Sequence, residues 1–154
     1  EDGVGVLKVG PGLTYGAREA LFSLAYIEEN MFHGREDETS HFIDVLEKAM
    51  LETPKNWAKH YHGNENELWF KRKFSFSDRS RYYMPNPEVK AAMDKMFENL
   101  RKEGINLAAL SQFMPMQYTK VREGVLQNDP AELVKDRVKN TIDEYRFATH
   151  QNDL

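Results

Sequence analysis

Apolar residues recur every three or four positions over most of the chain, the period of amphipathic helices. Ala17, Ala20, Leu21, Leu24, Ile27 and Met31 make one helix face, and Thr14 is the expected N-cap. After a polar, acidic loop over 33–40, Phe42, Leu46, Ala49 and Met50 mark a second helix, capped by Thr39 or Ser40. Thr53-Pro54 restarts the chain as cap and first-turn proline, with Trp57 and Tyr61 one turn apart. Asn86-Pro87-Glu88 opens a helix whose inner face is Val89, Met93, Met96, Phe97 and Leu100, with Gly104 at its end. Pro115 to Glu123 reads as a short helix. Asp129-Pro130-Ala131-Glu132 is a capping box for a last helix carrying Leu133, Val134, Val138, Ile142 and Tyr145.

Two short runs do not follow this period. Val4 to Val9 is apolar and β-branched, and Ile105 to Leu110 is apolar throughout but for Asn106. Both read as buried strands, each followed by a helix, which is the grammar of a parallel α/β sheet. Two parallel strands leave two open edges, and about three or more strands are needed for independent stability. The pattern therefore implies strands contributed from elsewhere, either a preceding portion of the same protein or another chain. The alternative is a helical domain with one small two-stranded ribbon. Glu1 rather than Met opens the sequence, which reads as a processed, cleaved or truncated chain.

Composition narrows the function classes. The 154 residues suit one domain, and 21 Lys+Arg against 25 Asp+Glu give a net charge of -4, which argues against a nucleic-acid-binding role. No apolar run approaches the roughly 18 residues of a membrane span, and no signal peptide is read. There is no cysteine, which removes disulfides and thiolate chemistry and fits a reducing, cytoplasmic setting.

Four features carry candidate chemistry. Lys8-Val9-Gly10-Pro11-Gly12-Leu13-Thr14 joins strand to helix; it is either a phosphate cradle built from backbone N–H groups or a tight turn. It is not a P-loop, which needs GxxxxGK[ST]. Ser111-Gln112 end the second run, where they would either hydrogen-bond a sugar or satisfy backbone groups. Residues 68–83 interleave Trp69, Phe70, Phe74, Phe76, Tyr82 and Tyr83 with five cations. That mixture suits nucleic-acid contact, but the acidic balance favours a docking segment with Arg79 and Arg81 paired to acidic groups; anion binding by these arginines is the alternative. His60 and His62 are two apart and point away from each other on a helix, so no metal site is expected. No nucleophile can be assigned, and the catalytic residues are unknown.

Three ordered stretches carry a resemblance. They are Leu7 to Thr14 with Arg18-Glu19-Ala20-Leu21-Phe22; Ser77-Asp78-Arg79 with Arg81-Tyr82-Tyr83; and Ser111 to Pro115 with Gln117-Tyr118 and Val121-Arg122. Together they resemble the C-terminal part of the non-catalytic subunit of class II D-tagatose-1,6-bisphosphate aldolase, a family that also carries the label tagatose 6-phosphate kinase. The resemblance implies the end of a TIM-type (β/α)8 barrel. Residues 1–32 would be a strand–turn–helix unit, 33–104 a helical insertion between the last two strands, and 105–154 the last strand and C-terminal helices. It places Lys8, Gly10, Gly12, Thr14, Ser111 and Gln112 at the barrel's ligand-binding face, and Arg79 and Arg81 as anion or partner contacts. It implies a cytoplasmic subunit of an oligomer, in galactitol or N-acetylgalactosamine catabolism. Its partner aldolase carries the zinc and cleaves tagatose 1,6-bisphosphate to dihydroxyacetone phosphate and glyceraldehyde 3-phosphate. Other expected partners are a sugar phosphate and the N-terminal part of its own barrel. The alternatives are a ketohexose 4-epimerase or a tagatose 6-phosphate kinase.

Overall fold

Pro11 sits in the first turn of a helix, where its locked φ helps and its missing N–H costs nothing. A computed structural model describes residues 11–152, with side chains from 14 to 141. Its α-helices are α1 (Pro11–Met31), α2 (Phe42–Glu52), α3 (Glu65–Phe74), α4 (Pro87–Glu103), α5 (Leu107–Phe113), α6 (Pro115–Arg122) and α7 (Pro130–Asn152). Short 3-10 turns span Glu36–Glu38, Pro54–Asn56 and Ser80–Tyr83. None of the described helices is long and apolar enough to cross a membrane.

The expected α/β architecture, the end of a (β/α)8 barrel, is not what forms: among the described residues there is no strand. The run Val4–Val9 lies outside the described residues. Ile105–Leu110 is the decisive correction. Asn106 accepts a hydrogen bond from the Ala109 N–H at 3.1 Å and so caps α5. From there Leu110 and Met114 are buried one turn apart, while Leu107 is half exposed. A short apolar run fits a strand and a helix equally by pattern; here the cap and the Leu107-Ala108-Ala109-Leu110 propensity decide for the helix.

Helix α1 is the centre of the molecule. Its predicted face is buried except for the partly buried Met31, and Phe22 and Ala25 are buried too, so the covered sector is wider than one stripe. It packs against α2, α4, α5 and α7. At Gly16 a Cβ would lie 2.8 Å from Thr141 Oγ1 on α7, so glycine permits this crossing. One turn on, Glu19 pairs with Arg137 of α7. The core joins Leu24 and Ile27 of α1 to Phe42, Leu46 and Met50 of α2, Val89, Met96 and Leu100 of α4, Leu110 and Leu133.

The loop ends hold by polar means. Glu28 is 1% exposed, yet it accepts from the Ser40 N–H at 3.0 Å, the Ser40 hydroxyl at 2.6 Å and the Asn99 amide at 2.8 Å. These bonds tie α1, the start of α2 and α4 together. The N-cap of α2 is His41, in the left-handed region at φ 53°, rather than Thr39 or Ser40, although the Ser40 hydroxyl accepts from the Phe42 N–H at 3.2 Å. Asn86 caps α4, and Gly104, at φ 79°, ends it. Asp129 caps α7 and bonds Arg101 of α4 at 2.8 Å. That bond, chiefly, holds its carboxyl below the usual range. Thr14 is not a cap: it lies within α1, 3% exposed.

Candidate functional site

The segment after α3 folds back over the first turns of α1, and its own polar groups dictate the path. Asp78 Oδ1 accepts from the Ser80 N–H at 3.0 Å and the Ser80 hydroxyl at 2.6 Å, which starts the 3-10 turn. The Tyr61 hydroxyl donates to the Ser77 carbonyl at 2.6 Å and accepts from the Arg79 N–H at 3.0 Å. Burial raises the pKa of that phenol, which suits its role as a donor. Arg79 Nε donates to the Asn56 carbonyl at 2.7 Å, and the Tyr83 hydroxyl to the Thr53 carbonyl.

Between this turn and α1 lies a cavity of about 20 Å³, lined by Thr14, Ala17, Arg18, Leu21, Asp78, Arg81 and Met84. That volume admits one water-sized group. Arg18 and Asp78 are each 3% exposed. Arg18 Nη1 lies 3.6 Å from Asp78 Oδ1 and 3.3 Å from the Ser75 carbonyl, and its guanidinium carbon is 4.7 Å from the Tyr15 ring centroid. The second carboxylate oxygen, Asp78 Oδ2, is buried and has no hydrogen-bond partner among the described residues. Arg18 and Arg81 both line the cavity with Asp78, and the first turn of α1 adds partial positive charge.

Arg81 donates to the Tyr82 hydroxyl at 2.9 Å, and the guanidinium carbons of Arg79 and Arg81 lie 4.6 and 4.8 Å from the Tyr82 ring centroid. The bond from Arg81, chiefly, holds the Tyr82 phenol below the usual tyrosine range. Among the described residues neither arginine makes an ion pair; Arg79 Nε bonds the Asn56 carbonyl and Arg81 Nη2 the Tyr82 hydroxyl.

Of the residues singled out from the sequence, Thr14 and Arg81 meet at this cavity. Lys8 and Gly10 lie outside the described residues. Gly12 is in the first turn of α1. Ser111 is on α5, where its hydroxyl donates to the Ala108 carbonyl at 2.7 Å, and Gln112 is exposed; neither lines the cavity. The sequence reading missed Arg18 and Asp78 as site residues. The available signal was an arginine set among the apolar positions of α1. His33, His41, His60 and His62 are exposed. Among the described residues no three His, Asp or Glu side chains gather so as to hold a metal.

The family model for D-tagatose-1,6-bisphosphate aldolase subunit GatZ/KbaZ-like proteins matches residues 1–150. The chain belongs to that family. It is also similar to a crystal structure described as a probable tagatose 6 phosphate kinase from Sinorhizobium meliloti 1021, at 39% identity and a TM-score of 0.81 over 89% of this chain. The match takes in 35% of that protein's chain, so this chain spans about a third of its length. Arg18, Asp78 and Arg81 come from two of the three stretches that carried the resemblance, and the fold brings those stretches together at one cavity.

Proposed function

We propose that this chain is part of a subunit that associates with a class II D-tagatose-1,6-bisphosphate aldolase and raises its activity and stability. In this reading the zinc and the bond-breaking groups belong to the partner chain, in the cytoplasm, in galactitol or N-acetylgalactosamine catabolism. Membership of the aldolase-subunit family carries the reading. The exposed aromatics fit it: Trp69, Phe70, Phe76 and Tyr82 are 47%, 57%, 85% and 45% exposed. Aromatic side chains and arginines are the usual anchors of protein interfaces.

Co-expression with a class II aldolase tests the proposal. The expected result is co-elution of the two proteins and higher aldolase activity than the catalytic subunit shows alone. Replacing Phe76 by serine should weaken association while the circular dichroism stays unchanged, since Phe76 projects into solvent. Absence of association and of activation would end the proposal. Turnover of D-tagatose 6-phosphate with ATP, or of a free ketohexose, by the isolated protein would make it an enzyme in its own right.

A further inference from the structure

We infer that Arg79, Arg81 and Tyr82 form a seat for a carboxylate side chain on the surface of a partner protein. The starting point is a difference among the arginines. Among the described residues, Arg18, Arg35, Arg72, Arg101 and Arg137 all donate hydrogen bonds, and each also pairs with a carboxylate. Arg79 and Arg81 donate hydrogen bonds too, to the Asn56 carbonyl at 2.7 Å and the Tyr82 hydroxyl at 2.9 Å, yet neither has an acidic partner there. Their guanidinium carbons stand 4.6 and 4.8 Å from the centroid of one ring, that of Tyr82. Neutral acceptors and an aromatic ring fix the two groups without cancelling their charge. Two like charges held at one ring repel each other, and an incoming carboxylate relieves that repulsion.

Being held in place separates this pair from ordinary solvated cations. An arginine free to move gives up side-chain entropy when it pairs, which is why exposed ion pairs contribute little. Here contacts within the chain have already ordered the side chains, so association loses less. Charge selects the occupant. Residues 69–83 carry five cations and one carboxylate in a chain of net charge -4, and Arg72 and Lys73 of those five are paired with Glu47. Arg79 and Arg81 thus present positive potential on an acidic molecule, the complement of an acidic patch. The negative charge of the whole opposes a nucleic acid. A lone small anion would stay hydrated and screened, because Tyr82 is 45% exposed. A protein surface brings the acid together with apolar cover for the ring. The inference rests on the proposed association with an aldolase and names the chemistry of that contact: an aspartate or glutamate beside an apolar group.

Isothermal titration of the protein with a class II aldolase tests this. Arg81 gives the cleaner variants, because among the described residues its one hydrogen bond is to the exposed Tyr82. Arg81→Gln should weaken association about tenfold, the usual effect of losing a charge-assisted contact. Arg81→Glu should weaken it further, with circular dichroism unchanged; should that variant misfold, Arg81→Gln decides. Lys90→Glu makes the same charge change on an exposed position of α4 and should leave association as it is. In the complex of Arg81→Lys, a carbodiimide should activate a carboxylate of the aldolase, and the new amine should displace the urea to form an amide. Association indifferent to Arg81→Gln and Arg81→Glu, equal weakening by Lys90→Glu, or an amide formed only with a carboxylate of this chain would each overturn the inference and leave the partner role standing. A native protein that does not associate at all ends both.

Discussion

Two buried arginines mark two corners of this protein, and they differ in the number of carboxylates that meet them. Arg72, on α3, is 1% exposed, bonds Glu47 through Nε and Nη2 at 3.0 and 2.7 Å, and reaches Glu65 at 3.0 Å. Lys73 stands 2.9 Å from the same Glu47, and the Trp57 ring lies 5.0 Å from the Arg72 guanidinium carbon. Two cations meet two carboxylates, both Glu47 oxygens are engaged, and an aromatic face covers the guanidinium. At the Arg18 corner one carboxylate pairs with Arg18 alone at 3.6 Å among the described residues, and there its Oδ2 has no hydrogen-bond partner. Buried ion pairs hold a fold only when both partners are satisfied. The Arg72 corner is thus a cluster of two cations and two carboxylates and the Arg18 corner a single longer pair, while each keeps a buried polar atom without a hydrogen-bond partner among the described residues, Arg72 Nη1 in one and Asp78 Oδ2 in the other.

The largest expected effect tests the Arg72 cluster. Glu47→Ala leaves Arg72 and Lys73 buried with only the exposed Glu65 carboxylate, and should cost about 3–5 kcal/mol in urea unfolding. A loss under 1 kcal/mol would erase the distinction between the corners. Next is the crossing that positions the Arg18 corner. Gly16→Ala should cost about 1–3 kcal/mol by overpacking against Thr141. A Thr141→Ala background removes the clashing hydroxyl, so most of that cost should vanish in the double variant; additive costs would show that the helices meet differently.

Acid sharpens the contrast. Burial alone would raise the Glu47 carboxyl, but hydrogen bonds from Arg72 and Lys73 outweigh it and hold its pKa below the usual range. Its contribution should be complete above about pH 4.5, the ordinary glutamate value, and be lost as pH falls through the lowered folded value. Unfolding free energy measured across that window should drop in the native protein and drop less steeply in Glu47→Gln. The smallest effect lies at the rim of the second corner. Tyr82 should be ionised at lower pH than Tyr15, Tyr26, Tyr61 and Tyr83, whose phenols burial pushes up. An ultraviolet titration in which Tyr82→Phe leaves the earliest phase intact would contradict the Arg81–Tyr82 contact.

Periodicity revealed most of the helices. The inner faces of α1, α2 and α4 were legible because each repeats an apolar residue over three or more turns, and Asn86, Pro87 and Gly104 mark the ends of α4 unmistakably. Ile105–Leu110 misled because six residues are too few to display a period, and the capping role of Asn106 was not read. The same shortness hid α3, whose capping box is Asn64 with Glu67. Trp57 and Tyr61, expected on a helix, stack across a 3-10 turn and the bends after it. For the cavity, the sequence supplied Thr14 and Arg81 but could not pair Arg18 with Asp78, which lie sixty positions apart. Such a pairing is a product of the tertiary fold and leaves no local pattern.

The clasp at Glu28 has a dynamic consequence. Because one carboxylate gathers donors from the Ser40 main chain and the Asn99 side chain, the acidic loop between α1 and α2 cannot lift at its far end unless α4 also lets go. Amide deuteration at Ser40 should then be as slow as in the helical interior, although the neighbouring stretch from His33 to Glu38 is washed by solvent.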